Sequence, residues 1–278
     1  MVPVCADGDM MATIYQLSAF LRRDWRLARF SLFSLAWQAV AVVLATPTLY
    51  YLGRLVPRTT PSLATYGGNY FEFAVLGIAF SSLFASVMAT SAAAVRQEQL
   101  AGTVPVLLTA PAPLPVMVAG ACLWPLLVAG AQAALYIVVG TALFHVAIVP
   151  DNIAGAAVIL LLGTIVAAAL GLMAATFVLL FRRAEPFTAA VMGISAMLGG
   201  VFYPSDVLPA RAARLAQFVP LTPMLRGLRL ALMRGADFSA LLSSITVLLG
   251  WCVIVVPAAI LLARAALSEA RRSGLTDD

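Results

Sequence analysis

The chain has 278 residues, of which 63% are apolar and only 10% are charged. A soluble domain carries about 25% charged residues, and a water-soluble core of this size could not bury so much apolar surface. With a mean hydropathy of +1.00, the composition excludes an ordinary soluble protein and indicates one that crosses the lipid bilayer several times.

Rare residue types exclude several kinds of site. All 17 basic residues are arginine, and a P-loop needs a lysine on the β- and γ-phosphates, so the chain cannot supply an ordinary ATPase site. The single histidine, His145, cannot build a two-histidine metal site. Cys5, Cys122 and Cys252 stand far apart and are expected to be packing residues. We therefore expect no catalytic residue and no metal ligand.

The net charge of +5 favours contact with anionic lipid headgroups. Basic residues do not form a stripe interleaved with aromatic residues, so nucleic acid is not an expected partner.

In chain order, residues 1–11 contain Asp7 and Asp9 and no apolar run, and they are expected to be disordered. Residues 12–29 place apolar side chains on one helical face and end in clustered arginines, which is typical of an amphipathic helix lying flat in the headgroup layer. Residues 30–266 are predicted to form the transmembrane domain, and residues 267–278 a charged cytoplasmic tail.

The transmembrane domain is predicted to be all-α, with six transmembrane helices, because each long apolar run can supply one span. The spans are expected at about residues 30–52, 70–95, 114–144, 153–181, 186–202 and 238–263. Ten arginines fall on the side of the N-terminus and seven on the other side. The positive-inside rule then favours cytoplasmic N- and C-termini in a cell-membrane protein.

Two segments differ from ordinary membrane helices. Residues 96–111 combine a charged helix end, a Gly-Thr break and an apolar stretch closed by proline, which predicts a short helix along the membrane surface. Residues 200–209 contain two prolines just past the short fifth span, so a helix cannot continue there. Irregular backbone at membrane depth needs protein or water as a partner, so we expect a re-entrant helical hairpin.

Both segments resemble the permease subunits of ABC-2 type exporters, which include drug, nodulation-factor and polysaccharide exporters. The first segment is similar to the pattern Glu-x-x-x-Gly-Thr-Leu-Glu-x-Leu-Leu-x-x-Pro at Glu98, Gly102, Thr103, Leu107, Leu108 and Pro111. Pro105 stands where the family often has its second glutamate. The second segment is similar to Gly-x-Phe-Tyr-Pro-x-x-x-Leu-Pro at Gly200, Phe202, Tyr203, Pro204, Leu208 and Pro209, followed by Pro220, Leu221, Thr222, Leu228 and Arg229.

The resemblance implies six spans, a cytoplasmic coupling helix and an extracellular re-entrant hairpin at residues 203–235. The residues it implies for coupling to an ATPase are Arg96, Glu98, Gly102, Thr103, Leu107, Leu108 and Pro111. The residues it implies for the extracellular gate are Phe202, Tyr203, Pro204, Leu208, Pro209, Pro220, Arg226 and Arg229. It also implies two copies of a separate ATP-binding subunit, which bind ATP and Mg²⁺, and a second permease chain that is identical or homologous. No cofactor is expected in this chain itself.

The predicted function is therefore that of a transport subunit, not an enzyme by itself, which moves an amphiphilic drug, lipid or glycolipid outward. A polysaccharide-export permease of the same family and a non-transporting membrane anchor are the alternatives. A membrane-embedded enzyme is disfavoured, because the spans hold no cluster of histidine, acidic or serine side chains suited to catalysis.

Three smaller features have competing interpretations. Gly163, Ala167, Gly171 and Ala175 form a four-spaced ladder of small residues, which favours close helix packing within the fold over a dimer seam. Glu72 is expected to reach the membrane interface more readily than a substrate. The remaining feature is a set of five arginines that either anchor the hairpin or attract anionic groups: Arg211, Arg214, Arg226, Arg229 and Arg234.

Overall fold

The computed structural model describes residues 32–57, 61–67, 69–100, 114–146, 149–181 and 185–273. Within these ranges every regular element is helical. The expected disordered N-terminus, the amphipathic helix at residues 12–29 and most of the expected coupling helix, residues 101–111, lie outside the described residues.

Nine α-helices lie in the described ranges. They are α1 (Leu32–Leu55), α2 (Pro61–Ala64), α3 (Tyr70–Leu100), α4 (Leu114–Phe144), α5 (Ile153–Phe181), α6 (Glu185–Leu198), α7 (Ala210–Ala216), α8 (Leu221–Arg234) and α9 (Phe238–Ser273). Two 3₁₀ turns, at Pro150–Asn152 and Ser205–Val207, lie between them.

Four of these helices are long and apolar enough to cross a membrane. Their apolar stretches are Tyr70–Ser91, Leu126–Phe144, Ile153–Thr176 and Phe238–Ala265. They correspond to the second, third, fourth and sixth predicted spans, which makes this a membrane protein. Helices α1 and α6, at the first and fifth predicted spans, do not reach that length and apolarity in the described residues.

The predicted end of the fifth span near Phe202 was wrong. Helix α6 ends at Leu198, where the Gly199 N–H donates to the Ser195 carbonyl and Gly200 takes a φ of +71°. A left-handed residue of this kind is favoured only for glycine and terminates a helix. The 14 residues of α6 extend about 21 Å, less than the roughly 30 Å of the hydrocarbon layer.

Two other helices continue beyond their predicted spans. Helix α3 extends to Leu100 and so includes Arg96 and Glu98, and helix α9 extends to Ser273. Both extensions are rich in glutamate, glutamine, alanine or arginine, which are strong helix formers in water. The end of an apolar run is therefore not the end of the helix.

Helices α3 and α5 form the centre of the bundle. Helix α5 packs between α3 and α9, and α4 packs on the other side of α3, with α1 against α4 and α3. Helix α8 lies against α3, α5 and α9. The core therefore follows the length of α3 and α5, which carry fully buried residues such as Phe73, Phe84 and Ile159.

The small-residue ladder on α5 packs inside the fold, as predicted. A β-carbon at Gly171 would overlap the backbone carbonyl of Met88 on α3, and one at Gly163 would overlap the thioether of Met224 on α8. Ala167 on the same ladder is fully buried. The ladder therefore allows α3 and α8 to approach α5 closely.

We expect Gly171→Ala to lower the melting temperature of the purified protein in detergent. The added methyl group meets the Met88 backbone, which cannot rotate away, and overpacking of this kind costs about 1–3 kcal/mol. Gly250→Ala on α9 is the matched control, because a β-carbon there meets nothing within 4 Å. Alanine is the better helix former, so the control should be unchanged or slightly stabilised. Equal melting temperatures for the two variants would contradict the close α3–α5 packing.

Candidate functional site at the helical hairpin

The most distinctive region of the bundle is the segment Ala210–Arg234, which comprises α7 and α8 and is called the hairpin below. The C-terminal end of α8 is hydrogen-bonded to the segment between α4 and α5. The Val149 N–H donates to the Leu232 carbonyl at 2.8 Å, and the Asn152 side-chain amide donates to the Ala236 carbonyl at 2.8 Å. The hairpin therefore lies at the end of the bundle where α4 ends and α5 begins.

Helix α8 is amphipathic, and its apolar face is buried against the long helices. Within it, Arg226 and Arg234 are the exposed residues. The helix ends at Gly235, which has a φ of +56°, and the Ala236 N–H donates back to the Leu230 carbonyl. This is a glycine-dependent C-cap, after which the chain turns and enters α9.

The start of α8 lies deeper in the bundle than its end. Met224 packs at Gly163, ten residues along α5, which is about 15 Å from the start of that helix. Gly227 approaches Ile159, one turn closer to the start of α5. Helix α8 therefore slopes from the α4–α5 loop into the bundle, beside the point where α6 stops.

Arg229 on α8 is the charged group at the centre of this region, and it is only 2% exposed. Its Nη1 donates to the Gly200 carbonyl at 2.7 Å, and its Nη2 donates to the Val201 carbonyl at 2.8 Å. Its Nε donates to the Phe73 carbonyl on α3 at 3.2 Å. One guanidinium thus joins α8, the turn after α6 and the first part of α3.

The side of α3 that meets Arg229 is shaped to receive it. The guanidinium carbon lies 3.4 Å from the centroid of the Phe73 ring, which is a cation–π contact. A β-carbon at Gly77 would overlap both the Val201 carbonyl oxygen and Arg229 Nη2. Glycine at position 77 therefore lets the turn and the guanidinium approach the helix backbone.

Tyr66, in the loop before α3, packs edge-on against Phe73 at 5.3 Å between ring centroids. Burial raises the pKa of the Tyr66 phenol, and the charges of Arg229 and Arg226 oppose that shift only in part. Tyr66 is therefore neutral at pH 7. The charge of Arg229 is compensated by carbonyl dipoles and an aromatic face rather than by tyrosinate.

The other predicted gate residues surround this centre in different ways. Pro204 is buried and precedes the 3₁₀ turn, and the Tyr203 hydroxyl donates to the Met197 carbonyl at the end of α6. Phe202 is 46% exposed. Leu208 and Pro209 connect the 3₁₀ turn to α7, and Pro220 is buried at the start of α8. The structure thus brings Tyr203 and Pro204 to the same turn that Arg229 holds.

The five hairpin arginines do not share one role. Arg229 is a buried anchor, and Arg234 donates to the Ala64 carbonyl at the end of α2. Arg211, Arg214 and Arg226 are exposed. The anchoring interpretation is therefore confirmed for two of the five, and Arg226 does not join the buried centre with Arg229.

Two of the predicted coupling residues lie at the other end of α3. Arg96 and Glu98 belong to its last turns, and Gly102, Thr103, Leu107, Leu108 and Pro111 lie outside the described residues. From Phe73 to Leu100 the helix extends about 40 Å. Helix α3 thus has the hairpin at one end and the predicted coupling segment at the other.

Glu72 helps to begin α3. The Asn69 side-chain oxygen accepts the Phe71 N–H at 3.2 Å, and the Asn69 amide donates to Glu72 at 2.9 Å. The positive end of the helix dipole also stabilises a carboxylate in the first turn. This cap accounts for Glu72 without a substrate.

Sequence reasoning missed Phe73 and Gly77, which form the α3 side of the Arg229 site. Both lie within an apolar run, where aromatic residues and glycines are ordinary. No local signal distinguishes them. Among the residues that the structure describes, no group of three histidine, cysteine or acidic side chains is placed to hold a metal ion.

Comparison with known protein families identifies a match. The family model for the ABC-2 type transporter matches residues 15–233, more than three quarters of the chain, and this range includes both predicted motifs and the hairpin through Met233. No curated protein matches the chain.

We expect Arg229→Met to lower the free energy of unfolding by about 3 kcal/mol or more, because it leaves the buried Gly200 and Val201 carbonyls without donors. Arg226→Met, three residues earlier on the exposed side of α8, should change it by less than about 0.5 kcal/mol. Melting temperatures of the two purified variants measure the difference. Equal effects would mean that the carbonyl contacts of Arg229 contribute nothing to stability.

Proposed function

The chain belongs to the ABC-2 type transporter family, and on that premise we propose that it is the permease subunit of an ATP-driven exporter. The family match over residues 15–233 is the observation that carries this proposal. The composition agrees with it, because a chain without lysine cannot provide a P-loop and so needs an ATP-binding partner.

We further propose six spans, with α1 and α6 as the first and fifth and with both termini in the cytoplasm. The length of α6 supports a re-entrant hairpin on the extracellular side. A helix of about 21 Å leaves roughly 9 Å of the hydrocarbon layer unspanned. The sloping α8 occupies the region beside and beyond the end of α6, where irregular backbone needs protein partners.

The proposed contact with the ATP-binding subunit is the segment 96–111. Helix α3 supports this, because it continues nine residues past its apolar stretch, which ends at Ser91. That extension is about 13 Å long and includes Arg96 and Glu98, so it would project from the hydrocarbon layer into the cytoplasm. ATP and Mg²⁺ would be bound by the two partner subunits, and a second permease chain, identical or homologous, would complete the transporter.

In the proposed mechanism, ATP binding closes the partner subunits and displaces the coupling segments. The membrane helices then move between inward-open and outward-open arrangements and carry an amphiphilic drug, lipid or glycolipid outward. Export of a polysaccharide by the same subunit and a purely anchoring role are the alternatives. Transport assays with a lipid and with a polysaccharide substrate separate the three.

The first test is ATP-dependent transport by the complex. The tagged chain is co-expressed with its ATP-binding subunit, purified and reconstituted in vesicles, and outward movement of a fluorescent phospholipid is followed. Glu98→Lys should reduce transport about tenfold or more, because a charge reversal in the coupling segment weakens its contact with the partner. Glu269→Lys, in the part of α9 beyond its apolar stretch, is the matched control and should retain transport.

Two outcomes would contradict the proposal. One is a purified complex that hydrolyses ATP and moves neither the phospholipid nor a polysaccharide, which would favour the anchoring role. The other is full transport by the Glu98→Lys complex, which would remove the segment 96–111 from the coupling contact.

The second test concerns topology. In a background without Cys5, Cys122 and Cys252, a membrane-impermeant maleimide should label Asp237→Cys in intact cells, because this exposed position follows the hairpin. Ser273→Cys, at the end of α9, should be labelled only after the cells are permeabilised. The opposite pattern would invert the proposed orientation and separate the coupling segment from a cytoplasmic ATPase.

A further inference from the structure

We propose that Arg229 is a positioning residue that makes the hairpin follow the movement of α3, so that displacement near Leu100 reaches the extracellular side. This inference rests on the proposed function, because it assigns the route by which an ATP-driven movement would arrive at the hairpin. The observation that carries it is that the guanidinium of Arg229, on α8, donates hydrogen bonds both to α3 and to the turn after α6.

Helix α3 is suited to transmit a displacement along its length. It runs without interruption for 31 residues and contains no proline. The hydroxyl groups of Ser81, Ser82, Thr90 and Ser91 donate to carbonyls of the same helix. A helix without a proline or a break in its hydrogen bonds has no built-in kink. Movement at one end would therefore be felt at Phe73.

The contacts of α8 with α5 are of a different kind from its contact with α3. Met224 at Gly163 and Gly227 at Ile159 are contacts of apolar groups and backbone. Such contacts have no direction and allow small sliding movements. Arg229 donates one directional hydrogen bond to α3, at the Phe73 carbonyl, and two to the turn after α6, and a planar guanidinium presents these donors in a fixed fork. At Arg229, helix α8 is thus hydrogen-bonded to α3, whereas its contacts with α5 at Gly163 and Ile159 are van der Waals packing.

The C-terminal end of α8 provides a pivot. Leu232 and Ala236 accept hydrogen bonds from Val149 and Asn152, in the loop before α5. Arg229 lies between this fixed end and the deeper start of the helix. Displacement of Arg229 with α3 would therefore rotate α8 about its C-terminal end and move the start of α8 together with the adjoining α7. This moving part carries the exposed side chains of Leu215, 60% accessible, and Phe218, 73% accessible.

The pair of variants for the test is Arg229→Lys and Arg54→Lys in the reconstituted complex with its ATP-binding subunit, because Arg54 is exposed in the last turn of α1, outside the hairpin. Lysine keeps the positive charge and loses the planar fork, so it cannot hold the Phe73, Gly200 and Val201 carbonyls at once. We expect Arg229→Lys to hydrolyse ATP within about twofold of the parent and to transport about tenfold less, which is uncoupling. Arg54→Lys should match the parent in both assays. A residue that only stabilises the fold would lower both activities together.

A spin label at Phe218→Cys, in a background without the native cysteines, reports the movement directly. In the parent complex, ATP binding should change the mobility of the label, and in Arg229→Lys this change should be lost. Gly77→Ala gives a second variant. Its added methyl group displaces the guanidinium and the Val201 carbonyl from α3, although residue 229 is still arginine. It should uncouple transport in the same way, whereas Gly130→Ala, where a β-carbon meets nothing within 4 Å, should not.

The proposal is overturned if the parent complex transports substrate while the label at position 218 does not respond to ATP. This measurement needs no folded variant of Arg229. It is also overturned if Arg229→Lys transports normally. A parent complex that hydrolyses ATP but transports nothing refutes the proposed export function instead, so the two failures are distinguishable.

Discussion

A buried guanidinium in an apolar helical bundle must be compensated by protein groups, and the region around Arg229 is organised by this constraint. Its three hydrogen bonds go to one carbonyl within α3, at Phe73, and to two carbonyls beyond the end of α6, at Gly200 and Val201. Because α6 ends at Leu198, the Gly200 and Val201 carbonyls lie outside that helix, where Arg229 reaches both. Helix α3 has to carry glycine at position 77, so that its backbone can come within reach. The cost of leaving such a charge unpaired holds these elements in place.

The short helix α6 and the hairpin that follows it depend on each other. The 14 residues of α6 cover about 21 Å of the roughly 30 Å hydrocarbon layer, and α8 slopes into the bundle beside its end. The pair Gly199 and Gly200 stops α6, and Pro204 starts the 3₁₀ turn that leads to α7. Small residues on α5, such as Gly163, then leave room for α8 against the long helices. Backbone chemistry ends the helix, and packing decides where the following chain lies.

Helix α3 connects the two regions to which the transport proposal assigns a function. Its first turns contact Arg229, and its last turns contain Arg96 and Glu98, about 40 Å away. In a family whose energy is supplied by a separate subunit, some element has to carry movement across the bilayer. A continuous helix that is bonded at one end to the hairpin and that reaches the coupling segment at the other meets this requirement with few parts.

The sequence by itself determined the membrane setting, the positions of four spans, the break after the fifth predicted span and the ladder of small residues on α5. Each depends on local hydropathy, on proline and glycine backbone chemistry, or on helical spacing, and these can be read from neighbouring residues. Only the tertiary structure separated Arg229 from Arg226, which lie on the same short helix and are the same residue type. The partner carbonyl at Phe73 is 156 residues away in the chain. Whether an arginine is buried or exposed therefore depended on which distant backbone approaches it, and that is decided when the helices pack.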